Sequence, residues 1–175
     1  NISGGCDTEL EMKQALNNVA QPMEKRMIKW AVTFGNHDED SSSKSGMDEN
    51  DMLKFYMKFK YNVNEPGEKD LTGTGNMNLI IRQSQGKKAA FNIWLLDSGR
   101  YAPATIAGQD FKGYPTWDWL RFNQVNWYYE QSKKLEKQNG YKVPSLAFIH
   151  IPLWEHRFMW HGSVDSRLPA NHDLA

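Results

Sequence analysis

Met27-Ile28-Lys29-Trp30-Ala31-Val32-Thr33-Phe34-Gly35-Asn36-His37-Asp38 is the stretch on which the reading of this chain turns. Its first eight residues are mostly apolar, aromatic or β-branched, and they stop abruptly at a glycine. That pattern predicts a buried strand over 27–34, closed by a polar turn. A second apolar run, from Ser145 to Ile151, stops at Pro152 and predicts another buried strand. Both runs finish on polar groups, Gly35-Asn36-His37-Asp38 in one and His150-Ile151-Pro152 in the other. In layered α/β folds the loops at strand carboxyl ends aim side chains into a shared crevice, so these two ends are the natural place for a site.

The flanking sequence supplies the helices of such a fold. Asp7 to Ala20 reads as a helix capped by Asp7 or Thr8, with Leu10, Met12, Ala15, Leu16, Val19 and Ala20 at helical spacing. Asp48 begins another, with Met52, Leu53, Tyr56, Met57 and Phe59 on one face. Between them, Glu39 to Asn50 is rich in Ser, Asp and Gly and predicts an exposed loop. Asn62 to Asn76 reads as a surface excursion. Asn78–Gln83 and Ala89–Leu96 flank Gln85-Gly86-Lys87-Lys88 and predict an antiparallel hairpin that ends at Asp97-Ser98-Gly99. Arg100 to Thr116 is loop-like. Trp119 to Gln138 predicts a helix stopped by Gly140. The whole predicts one α/β layered domain over residues 1–175, with an antiparallel hairpin contribution and no internal repeat. It is expected to be incomplete at both ends, since no initiator Met opens it and no closing element follows Asn171.

Composition narrows the function classes. The 21 basic and 21 acidic side chains balance, so nothing draws the chain globally toward nucleic acid or an anionic membrane. Seven Trp, seven Tyr and eight Phe argue for a compact core and against disorder. The longest apolar runs, such as Phe91–Leu96, fall far short of the roughly 20 residues that span a bilayer. Cys6 is the sole cysteine, which excludes an internal disulfide. No signal peptide is visible, which leaves both a secreted and a cytoplasmic location open.

In the Gly-Asn-His-Asp turn, Gly35 allows a close backbone approach. Asn36 offers a neutral amide oxygen as a hard ligand. His37 can give a proton or hydrogen bond to a leaving oxygen, and Asp38 can hold its imidazole in one tautomer. Taken alone, the tetrapeptide is equally a polar turn after a strand. His150 alone reads as a satisfied core histidine as well as a ligand, but divalent-metal sites are assembled from such separated ligands. Glu155 and His156 read as a solvated turn or a pocket edge, and His161 and His172 as bystanders. Trp117, Trp119 and Trp127 read as core, and Lys133 to Lys137 as an exposed helix face.

Trp30 to Asp38 resembles the third motif of the calcineurin-like metallophosphoesterases, and Phe148-Ile149-His150-Ile151-Pro152 resembles the fourth, at a separation that suits the family. Leu95-Leu96-Asp97-Ser98-Gly99 and Gln124-Val125-Asn126-Trp127 are similar to the branch related to purple acid phosphatases. The resemblance implies a layered β-sandwich flanked by helices. It implies hydrolysis of phosphate esters with two divalent ions (Mn, Zn or Fe), Asn36 and His150 binding one of them. It also implies that His37 faces the phosphate and leaving group, with Asp38 behind it. The substrate would be a small-molecule phosphate ester or a phosphoprotein; a nuclease stays within the class, although the neutral charge and lack of a basic stripe argue against nucleic acid, and no membrane partner is expected. The family's Asp-x-His, Gly-Asp and Gly-His-x-His motifs do not occur. Asn1-Ile2-Ser3-Gly4-Gly5 looks like the residues after a Gly-Asp pair, which puts Ser3 where the purple branch has Tyr and implies a colourless enzyme. A non-catalytic scaffold or binding protein that keeps the fold is the alternative.

Overall fold

The computed structural model describes residues 4–110, 112, 117–153, 155 and 156; Ser3, His161 and His172 lie outside them. Helix α1 (Glu9–Lys25) opens on a reciprocal cap: the Glu11 N–H donates to Thr8 Oγ1, and the Thr8 N–H donates to Glu11 Oε2. It runs past Ala20 and through Pro22, beyond the expected end. Met12, Leu16 and Ala20 form its wholly buried stripe. A short turn of helix, α2 (Ser42–Ser45), interrupts the expected loop and ends at a left-handed Gly46. Helix α3 (Glu49–Tyr56) is capped by Asp48, whose carboxylate accepts from the Asp51 N–H. Helices α1 and α3 enclose a core of Met12, Leu16, Ala20, Met52, Leu53 and Tyr56, with Trp30 edge-on to Tyr56.

The expected strand over 27–34 does not form. Trp30 makes one backbone bridge, to Asn62, with Trp30 N–H to Tyr61 O and Val63 N–H to Trp30 O. At the next rung a side chain replaces a strand partner: the Val32 N–H donates to Asn64 Oδ1, and Asn64 Nδ2 donates back to Val32 O, both at 2.9 Å. The backbone groups are satisfied without a ladder, which is all that burial demands of them.

The predicted hairpin is present. Strand β1 (Met77–Arg82) pairs antiparallel with β2 (Ala89–Leu95), and the register shifts between Ile81 and Arg82. Strands β3 (Thr105–Ile106) and β4 (Gln109–Asp110) form a separate small hairpin. Helix α4 (Phe122–Asn139) ends at a left-handed Gly140, and β5 (Ser145–Phe148) joins the sheet parallel to β2 in the order β1-β2-β5. Trp94 on β2 meets Trp127 and Tyr128 of α4 edge-on, which fixes the helix against one face of the sheet. The architecture is mixed α/β, as expected.

Two expectations fail at the periphery. β5 was expected to be buried, yet all four of its residues are exposed. Among the described residues it pairs only with β2, and the face carrying Leu146 (53% exposed) and Phe148 (46%) has no covering layer. The 62–76 excursion is likewise not simply surface, because Asn64 and Asn76 are buried. Asn76 Oδ1 accepts from the Asp97 N–H and from Gln124 Nε2, and Gln124 Nε2 also donates to Asp97 O at 2.6 Å. Asn139 bonds both the N–H and the carbonyl of Ala89. Side-chain amides thus stitch α4 and the excursion to the sheet.

Candidate functional site

Where the 30–34 segment ends, the chain turns on itself: the Asp38 N–H donates to Gly35 O, and the Gly35 N–H donates to Asp38 Oδ2 at 2.7 Å. Asp38 is therefore engaged in closing the turn. The carboxylate that reaches His37 Nδ1 is Asp40, three residues on. That contact, ahead of the opposing effect of burial, holds the Asp40 carboxyl below its ordinary range, and Arg100 adds to it. The Arg100 guanidinium ties the turn together, donating to Asn36 O at 3.0 Å, Glu39 Oε2 at 2.8 Å and Asp40 Oδ1 at 2.9 Å.

His150 follows β5, and the structure brings it to Asn36 across 114 residues, with Asn36 Oδ1 at 2.8 Å from His150 Nε2. Two devices create the meeting. The Ile151 N–H donates to buried Ser98 Oγ at 2.7 Å, holding the end of β5 to the end of β2. Gly35 contributes by its missing side chain, since a Cβ there would lie 2.7 Å from three ring atoms of His150. Glycine is needed for room at this position.

Tyr101 completes the group. Its hydroxyl lies 3.2 Å from Asn36 Nδ2, which donates to it, and 3.3 Å from His37 Nδ1. Donating through Nδ2 leaves Asn36 presenting Oδ1 to His150. Beneath the turn, buried Glu49 donates its N–H to Glu39 Oε1, while its own Oε1 has no hydrogen-bond partner among the described residues. Burial, reinforced by Asp97 and Glu39, pushes the Glu49 carboxyl up to about 8. Burial also raises Asp97, against the opposing N–H bonds from Thr74 and Gly99. Glu155 and His156 are exposed, and the Leu153 N–H donates to His156 Nδ1, a local turn.

The sequence pointed to Asn36, His37, Asp38 and His150. It gave no signal for Asp40, Glu49, Arg100 or Tyr101, because their roles arise from contacts across the fold. Asn36 and His150 bring an amide oxygen and an imidazole nitrogen together, a pair whose chemistry suits one divalent ion. Their number does not complete a site: among the described residues no three His, Cys, Asp or Glu side chains are grouped to hold an ion. No described helix is long and apolar enough to cross a membrane.

The arrangement is that of a mixed α/β domain that brings Asn36 and His150 together where the 30–34 segment and β5 end. The chain is 30% identical over 171 residues, 89% of its length, to "Probable inactive purple acid phosphatase 14" of Arabidopsis thaliana. It is 29% identical over 86% of its length to "Probable inactive purple acid phosphatase 29" of the same plant, and 28% identical over 83% to "Phosphatase DCR2" of Saccharomyces cerevisiae. It spans 40% of each of the two plant proteins and 24% of the yeast one. No protein-family model matches the chain, and no solved structure matches it. The chain thus resembles a portion of proteins related to the purple acid phosphatases.

Proposed function

We propose that this segment, within a full-length phosphoesterase, hydrolyses phosphate esters by a two-metal mechanism. The reading is carried by the 2.8 Å approach of Asn36 Oδ1 to His150 Nε2, with His37 in the same turn. Asn36 and His150 would be ligands of one ion, and the remaining ligands would come from elsewhere in the longer protein. The ions, Mn, Zn or Fe, would supply a bound hydroxide and neutralise the phosphate. His37 would donate to the leaving oxygen, with Asp40 and Tyr101 setting the orientation of its ring and Asp38 holding the turn beneath it. Small phosphate esters or phosphoproteins are the substrates that suit this chemistry.

In the full-length protein, His37→Ala should lower kcat about 10²–10⁴-fold with bound metal unchanged, the size typical of a lost proton donor. His150→Ala should instead lose metal, read by elemental analysis, with activity partly recovered at high metal concentration. A His37→Ala enzyme with near-normal kcat on esters of poor leaving groups overturns the role of His37. A second reading rests on the names of the plant relatives, which describe them as inactive. Under it the protein binds phosphate groups without hydrolysing them, and the wild type would hold a phosphonate tightly yet show no turnover.

A further inference from the structure

We propose that Tyr101 and Trp117 form a stacking shelf beside His37 that receives a planar aromatic ring on the alcohol side of the phosphate ester. This rests on the phosphate-ester reading of the same site. The two rings stack with centroids 5.6 Å apart and an interplanar angle of 30°, and the His37 and Tyr101 ring centroids lie 6.3 Å apart in an edge-on arrangement. Trp117 was expected in the core, yet it is 50% exposed, and Tyr101 is 46% exposed. An alcohol leaving past His37 meets Tyr101 first and Trp117 next.

The shelf is built into the fold. Tyr101 is held at its inner end by Asn36 and His37, and its backbone bridges to Trp117. The Asp118 N–H donates to Arg100 O at 3.2 Å, and Arg100 is anchored on Asn36, Glu39 and Asp40. Gly99, at φ +73°, permits the approach, since a Cβ there would collide with the Asp118 carboxylate. Two large aromatic rings fixed beside a polar site and left half open to water are suited to a ligand with a π-face.

The test is calorimetric binding to the full-length, metal-loaded protein. One arm compares phenylphosphonate with methylphosphonate; the other compares the 5′-phosphonate of adenosine with that of ribose. The aromatic member of at least one pair should bind roughly 3- to 10-fold more tightly, the size of one added ring contact. The arm that shows the preference tells whether the ring is attached directly or through a sugar. Trp117→Ala should abolish that preference while leaving the non-aromatic member's affinity in place, and Trp117→Phe should restore most of it. Equal binding within both pairs, or a preference that survives in Trp117→Ala, overturns the shelf alone. Failure of all four compounds to bind overturns the phosphate site and the shelf with it.

Discussion

Residues 6–61 and residues 76–151 are held together by different means. The first region buries Met12, Leu16, Ala20 and Met52 completely in one apolar cluster. The second leaves Ile81, Leu146 and Phe148 about half exposed and places Asn76, Gln124 and Asn139 inside. Apolar contact is non-directional and tolerates many arrangements, whereas each buried amide is satisfied in one geometry. The helical region therefore supplies bulk stability, and the sheet region supplies alignment. The site sits where they join, with Asn36 and His37 from the first and Tyr101 and His150 from the second.

Leu16→Ala tests the apolar side most severely. Removing a wholly buried side chain there should cost about 2–5 kcal/mol in a urea titration, whereas Phe148→Ala on the open sheet face should cost less than about 1 kcal/mol. Similar losses at both positions would erase the contrast. Gln124→Leu keeps the volume and removes the amide, leaving Asp97 O and the Arg121 N–H without this partner. It should cost about 1–3 kcal/mol, and no loss would show that the sheet region depends on packing after all.

The third test concerns pH. Glu49 ionises near 8 in the folded chain against 4.5 in an unfolded one, so between those values the folded state holds the extra proton. The contribution of Glu49 to stability is then greatest below 4.5 and falls as pH rises to about 8, with a slope of at most about 1.4 kcal/mol per pH unit. The raised carboxyl of Asp97 acts in the same direction. Glu49→Gln should flatten the decline in denaturation midpoint between pH 5 and 8. A wild type whose midpoint does not fall across that interval would show that Glu49 ionises normally.

Local signals carried much of the fold. Thr8 and Asp48 announce helix starts, Gly140 announces an end, and the Gln85–Lys88 connector announces the hairpin. The 27–34 run misled because apolar composition names no partner: Met27 and Ile28 are exposed, Trp30 pairs with the backbone of Tyr61 and Val63, and Val32 pairs with the Asn64 side chain. For the site, the polar ends of two runs identified Asn36 and His150. Tyr101 stayed hidden, since nothing local marks a tyrosine whose hydroxyl meets an asparagine 65 positions earlier.

The Asn36–His150 contact also has a place in time. It closes a span of 114 residues, and the entropy of so long a closure must be offset by structure already formed. The turn after Phe34 can form locally, and β5 can dock once the hairpin exists, but their ends meet only after both. In the reverse direction the same contact should open before the helices lose their ladders, because it lies between two loops and is backed by the Ile151–Ser98 hydrogen bond and the close approach at Gly35. A chain with its full helical signal can therefore have already lost the Asn36–His150 junction.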